Sequence, residues 1–368
     1  MFSSPPVFAE TSVTVRVLVA ENQRNFSVTV EGPYLIKSFP DGHVLTEGNS
    51  MNHRLLVPTL KGVQLEGEEW TARAVSIEVR NARGLFLNLP RFRGAVRILK
   101  DKNNLLYAVN QLNIEDYLYG VLHHEVAPWW PMEALKAQAV AARTYAFYQA
   151  GVSKLQEFDL KSGTSSQVYG GSTTERYRTK MAVDQTAGQV LTFQGKVFPA
   201  YFHATCAGIT AAASELWAIH LPPLYGGVHC GFCRISPHYF WQARVPLVEI
   251  EEKLNKNGRP VGQILKIEII SQTPSSRVGS LKIVGTLKET ALAAKDFRIW
   301  IGGDRMRSTA FKVSVNDDMA EFRGRGWGHG VGFCQWGALG QSLLGRKYQE
   351  ILKFYYPGSE IMNYENQK

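Results

Sequence analysis

Residues 113–151 read NIEDYLYGVLHHEVAPWWPMEALKAQAVAARTYAFYQAG, and the character of the chain changes here. A short helix is expected from Glu115 to Val121, with Glu115 and Asp116 charging its first turn, where acids are stabilised. A loop then carries His123-His124-Glu125-Val126-Ala127-Pro128-Trp129-Trp130. Pro131 suits the first position of a second helix, because its missing N–H costs nothing there. Met132, Leu135, Ala139, Ala142 and Ala146 step by three and four, which predicts a helix to about Gln149 with one narrow apolar stripe. The small residues in that stripe allow close packing on a neighbour, and Gly151 is a natural stop.

Upstream, from Val13 to about Asn110, the chain reads as strands. Val13, Val15, Val17 and Val19 alternate with other residues, and Phe26, Val28 and Val30 repeat the period of two. Pro33, Pro40-Asp41-Gly42 and the regions of Gly62 and Gly67 punctuate further short strands, continued by Ala74 to Val79 and Ala95 to Leu99. Downstream, strands are expected at Gln189 to Phe193 and Val197 to His203. Between Leu247 and Val315 the composition turns charged and aliphatic, without Cys or His and with a single Trp. A helix is expected near Leu247 to Asn257, with strands at Ile264 to Ile270, Leu281 to Val284 and Phe311 to Val315. The fold class is therefore α+β. It comprises a β-rich N-terminal module (12–110), a mixed α/β catalytic core (111–246 and 319–368) and an inserted small α/β subdomain (247–318).

The 368 residues are 45% hydrophobic and 20% charged, the composition of an ordinary globular protein. Lys and Arg number 41 against 32 Asp and Glu, a net charge of +9 that favours anionic partners such as wall polymers, nucleic acid or lipid headgroups. The cations are scattered and no nucleic-acid motif occurs, so nucleic acid is not expected as a partner. No apolar run approaches the roughly 18 residues of a transmembrane segment. A signal peptide is absent or truncated in this numbering, but the Pro-rich lead-in and Val7-Phe8-Ala9 resemble the end of a cleavage site. The expected location is extracytoplasmic.

The densest chemistry lies in Arg323-Gly324-Arg325-Gly326-Trp327-Gly328-His329-Gly330-Val331-Gly332-Phe333-Cys334-Gln335-Trp336. Glycine at every second position would strip one face of an extended strand, leaving Arg323, Arg325, Trp327 and His329 on the other. Such a strand serves close packing or a ligand. Indole faces suit sugar rings, and cations suit carboxylates. No Gly-Lys-Ser/Thr or dinucleotide spacing is present.

Three separated motifs carry a resemblance to the SpoIID/LytB family. They are Asn113-Ile114-Glu115-Asp116-Tyr117-Leu118-Tyr119-Gly120-Val121 followed by Glu125, the helix Ala134 to Ala146, and Gly326 to Gly332 with Gln335-Trp336-Gly337-Ala338. A weaker match runs from Tyr348 to Gly358. The order and spacing cover roughly residues 90–360. The resemblance implies a lytic transglycosylase acting on peptidoglycan glycan strands, often peptide-denuded ones, with Glu125 as catalytic acid. The alternative is a glycan-binding protein that enhances or recruits an N-acetylmuramoyl-L-alanine amidase, as the LytB branch is known to do, and the retained Glu125 favours the enzyme. His123, His124 and Val126-Ala127 depart from the family pattern.

The chemistry is consistent with that assignment. Glycoside cleavage needs a carboxylic acid still protonated near neutral pH. Trp129, Trp130 and Pro128 beside Glu125 would desolvate it and raise its pKa. In a lytic transglycosylase the muramic acid 6-hydroxyl attacks the anomeric carbon, so one carboxyl serves as acid and then base. Arg143 and Lys136 share a helix face, and Arg143 holds either the lactyl carboxylate of muramic acid or a structural ion pair. Trp129, Trp327, His329 and Gln335 are assigned with them to the substrate. His203-Ala204-Thr205-Cys206 and His229-Cys230-Gly231-Phe232-Cys233 give His203, Cys206, Cys230 and Cys233 as a structural zinc set. A disulfide, or His229 in place of His203, is the alternative reading, and Cys334 is expected as a small buried residue. His-Glu-x-x-His and Gly-x-Ser-x-Gly are both missing, which argues against a zinc or serine hydrolase.

Overall fold

Strand Leu106–Asn113 delivers the chain straight into helix α1, Ile114–Glu125. The Asn113 side chain accepts from the Glu115 N–H at 2.7 Å and so caps the helix. The computed structural model describes residues 13–79, 84–88, 90–153, 157–163 and 166–364, so Val7-Phe8-Ala9 lies outside the described residues. Helix α1 does not stop at Val121. It runs one turn further and makes Glu125 its last residue, ahead of the extended Val126.

Two sheets precede the helix. One holds seven strands in the order 160–161, 14–23, 106–113, 95–100, 74–79, 34–39, 44–48, antiparallel except for the first pair. The other holds 62–65, 51–59, 26–31, 84–87 and 91–92. Their inward residues, such as Val15, Val17, Phe26 and Val28, share one core with α1 and with helix α2, Met132–Val152.

Helix α2 is the axle of the molecule. The expected stripe of Leu135, Ala139, Ala142 and Ala146 packs on that first core. A second face, Ala137, Val140 and Ala141, packs on another core with Phe333, Tyr355 and Tyr356. A helix apolar all round is a buried helix, and small residues let both neighbours approach. Helix α3 (Tyr177–Asp184) lies beside α1 and α2, and strand Gln189–Phe193 pairs with Glu360–Asn363.

The insert carries helices α4 (Leu247–Lys256) and α5 (Ala294–Ile301). Its strands form two three-stranded antiparallel sheets, 240–246/319–325/311–316 and 264–272/278–285/289–293. Its own core runs from Trp241 to Phe322 and so reaches past 247–318 on both sides. Helices α6 (Gln335–Leu343) and α7 (Tyr348–Tyr355) return the chain to α2.

The glycine-rich run is not one extended strand. Pairing stops at Arg325 and resumes only at Phe333–Cys334. Gly326, Gly328, Gly330 and Gly332 all take positive φ, between +69° and +105°. Left-handed residues alternating with ordinary ones give a chain that hugs its neighbour, through bridges of Trp327 to Thr205 and Val331 to Ala211. A Cβ on Gly332 would stand 2.3 Å from the Tyr201 carbonyl oxygen, so the close approach demands glycine.

Candidate active site and sulfur cluster

Helix α1 ends at a cavity of about 380 Å³ lined by Glu125, Tyr145, Ser166, Val168, Tyr201, His203, Trp217, Arg298, Trp327, His329 and Gln335, among others. Glu125 from the first motif and Trp327, His329 and Gln335 from the glycine-rich motif thus meet at one cavity. Glu125 is half-buried; its Oε1 accepts from the Val168 N–H and its Oε2 from Gln335 Nε2, both at 3.4 Å. Burial is the main cause of its raised pKa, about 7, against which these two long hydrogen bonds pull weakly. Half of such carboxyls hold a proton near neutrality. Glu125 is the only carboxylate lining the cavity among the described residues.

The aromatic lining differs from expectation. Trp129 is 68% exposed and outside the cavity, and Trp130 is buried edge-on against Trp336. The Tyr, Phe and Trp rings that line the cavity are Tyr145, Tyr201, Phe202, Trp217 and Trp327. Trp217 stacks on Tyr201 with centroids 4.4 Å apart, and the Arg307 guanidinium lies 4.8 Å over Trp327. Arg298, from α5 of the insert, is held by the carbonyls of Met306 and Arg307 at 2.7 and 3.1 Å. Of these rings Trp327 was expected from the glycine-rich run, and Tyr145 lies in the α2 motif. Tyr201, Trp217 and Arg298 lie in segments without one.

Two histidines stand in the wall. His329 Nδ1 accepts from the Val331 N–H at 3.1 Å. Burial first, then the nearby Arg277 charge, push its pKa down to about 3. His203 Nδ1 meets the Val331 carbonyl at 3.1 Å, so it carries the proton there. Its buried Nε2 is then a lone pair without a partner among the described residues. Burial and the neighbouring His329 also lower the His203 pKa.

Arg143 and Lys136 are corrected as substrate ligands. Arg143 is fully buried, with Nε and Nη2 bonded to the two Glu115 oxygens at 2.8 and 2.7 Å. It also donates to the carbonyls of Gln189 and Val183, at 3.1 and 3.2 Å. It ties α1 to α2 rather than facing the cavity, because a guanidinium at that depth needs a carboxylate. Lys136 sits 3.7 Å from Glu133 and over the Tyr348 ring, also away from the cavity.

The cysteines assemble behind the cavity wall. Cys206, Cys230, Cys233 and Cys334 are completely buried, unbridged, and their sulfurs all lie within 4.8 Å of one another, Cys206 to Cys233 at 3.5 Å. A zinc ion at about 2.3 Å from each of four sulfurs would space them about 3.8 Å apart. The donor set therefore fits a closed tetrahedral metal site. The fourth member of the donor set is Cys334 and not His203, which corrects the sequence expectation. Strand 202–203 lies parallel to 333–334, and the bond to Val331 turns the His203 ring to the cavity wall while Cys334 enters the cluster. His229, the other alternative, is exposed.

Comparison with known proteins gives a consistent result. The model of the Stage II sporulation protein family, SpoIID, matches residues 102–193, and a domain of unknown function, DUF8618, matches residues 233–332. A protein of Brachyspira hyodysenteriae is 32% identical over 95% of this chain and 93% of its own length. Stage II sporulation protein D of Bacillus subtilis is 30% identical over 69% of this chain and 76% of its own. The amidase enhancer of Bacillus subtilis is 28% identical over 67% of this chain, which spans 40% of that longer protein.

Proposed function

The chain belongs to the stage II sporulation protein D family, and on that premise we propose that it is a lytic transglycosylase of peptidoglycan glycan strands. The observation that carries the reading is one carboxyl with a pKa of about 7 at a cavity lined by no second carboxylate among the described residues. Hydrolysis by paired carboxylates needs both groups flanking the bond. Intramolecular attack needs one.

In the proposed reaction Glu125 gives its proton to the glycosidic oxygen between a muramic acid and the following glucosamine. The C1–O bond breaks and the glucosamine leaves as its 4-hydroxyl. The muramic 6-hydroxyl oxygen then bonds to C1, and its proton returns to the Glu125 carboxylate. No water is consumed, and the product carries a 1,6-anhydro end. The Val168 N–H on Oε1 and Gln335 on Oε2, both at 3.4 Å, orient the carboxyl while leaving it free to give up and take back a proton. Stacked Tyr201 and Trp217, with Trp327, offer flat faces to sugar rings, and Arg298 offers a cation to the lactyl carboxylate. The four cysteines would hold zinc as a closed structural centre, which supplies folding energy and no open position for substrate.

The site of action proposed is extracytoplasmic, with peptidoglycan as substrate and an N-acetylmuramoyl-L-alanine amidase as cooperating partner. Among the described residues no helix is long and apolar enough to cross a membrane. The relative named amidase enhancer favours a second reading, a glycan-binding helper without turnover. Purified protein on peptide-free glycan separates the two. Mass spectrometry should find anhydro-muramic ends with the native chain and none with Glu125→Gln. Tight glycan binding without anhydro product from the native chain would leave only the helper.

A further inference from the structure

Arg277 follows the turn between strands 264–272 and 278–285 of the insert, where the Thr273 N–H donates to its carbonyl at 2.8 Å. Its side chain leaves the insert and ends beside the sulfur cluster. The residue is 2% exposed, and Nη2 donates to the Cys206 carbonyl at 3.0 Å. Nε and Nη1 are buried without a partner among the described residues. The nearby Glu215 carboxylate is engaged by Ser275 Oγ at 2.7 Å and the Ala212 N–H at 3.2 Å. Room for the guanidinium exists only because residue 330 is glycine: a Cβ there would stand 2.3 Å from Nη2, on a backbone with φ +89°.

A buried cation with no carboxylate in hydrogen-bond contact is costly, and proteins keep one only beside compensating negative charge, of which Glu215 supplies a part from beyond contact. Four thiolates around a divalent ion carry a formal charge of −2, and they lie next to this guanidinium. We propose that Arg277 is the counter-charge of the metal-loaded cysteine cluster, so that the insert is pinned to the catalytic body by attraction to a metal thiolate. The proposal rests on the reading that Cys206, Cys230, Cys233 and Cys334 hold a divalent metal. A merely structural arginine would instead act through its hydrogen bond to Cys206 and its fit against Gly330.

Three full-length variants separate the roles. Arg277→Lys keeps the charge, Arg277→Gln keeps a donor but loses the charge, and Arg277→Met loses both. Metal content comes first, on native protein purified under reducing conditions without chelator. Absence of stoichiometric metal would retire the cluster reading itself. With metal present, zinc affinity is measured by competition with a chromophoric chelator, and melting temperature is recorded with and without zinc. Arg277→Gln and Arg277→Met should bind zinc about 10- to 100-fold more weakly, with Arg277→Lys near native. The melting shift should change sign: zinc-loaded neutral variants melt below loaded native protein, and metal-free ones melt above metal-free native protein. Native zinc affinity in Arg277→Gln, or shifts of one sign in both states, would overturn the proposal. So would failure of both neutral variants to fold without zinc.

Discussion

Residues 327–335 serve two sites built on opposite principles. Trp327, His329 and Gln335 line the cavity, while Cys334 points behind it into the sulfur cluster. In the cavity, hydrogen-bonding capacity is left unspent: Glu125 has two contacts at 3.4 Å, and His203 Nε2 has none among the described residues. In the cluster four donors converge with no solvent access. A place that receives a molecule keeps polar groups waiting, whereas a place that holds the fold together closes. The left-handed glycines between them let one short segment do both.

The sharpest way to break this contrast is Glu125→Gln. Release of anhydro ends should fall about 10²- to 10⁴-fold, as for loss of a general acid, while metal content stays native. Loss of metal in that variant would mean the sites are not separable. Next in size, Cys334→Ser should weaken zinc binding at least about 100-fold, whereas His203→Ala should retain zinc, read by metal analysis after dialysis. The opposite pattern would restore His203 as ligand.

The pH dependence sharpens the contrast further. Glu125 in the folded chain binds its proton up to about pH 7, against the usual 4.5, so the native state holds more protons than the unfolded one across that window. Stability from this group is therefore present below 4.5 and lost as pH rises through 7, by up to about 3 kcal/mol. Glu125→Gln should melt above native protein at pH 8 and level with it at pH 4, and native cleavage should decline above pH 7. Equal melting differences at both values would mean the carboxyl is not desolvated. The smallest effects concern the indoles. Trp217→Ala should raise KM about 10-fold, and the exposed Trp129→Ala about twofold or less, with kcat nearly unchanged in both.

The elements that the sequence made legible were those with local periodicity. The α2 stripe at Leu135, Ala139, Ala142 and Ala146 could be read from spacing alone. Its second face could not, because Ala137, Val140 and Ala141 look like filler until two cores press on the helix. Glu125 was singled out through resemblance, since nothing local distinguishes a candidate acid from an ordinary helix terminus. Arg143 could not be decided between substrate and ion pair because its partner Glu115 lies on another helix. Cys334 was missed as a member of the sulfur cluster because the other three sulfurs come from loops far away in sequence. Glycine every second residue fits a bare-faced strand and an alternating left-handed chain equally well, and only the backbone angles decide.

Arg298 comes from the insert, which has a core of its own, yet it lines the same cavity as Glu125 at the end of α1. The cleft is thus a seam between two separately packed bodies. On the proposed function, a saccharide lying there would be touched from both sides of the seam, and the grip on it would be tuned by whatever holds the edges together. Exchange of the insert over evolutionary time would then change which chain is grasped while leaving the proposed proton donor untouched.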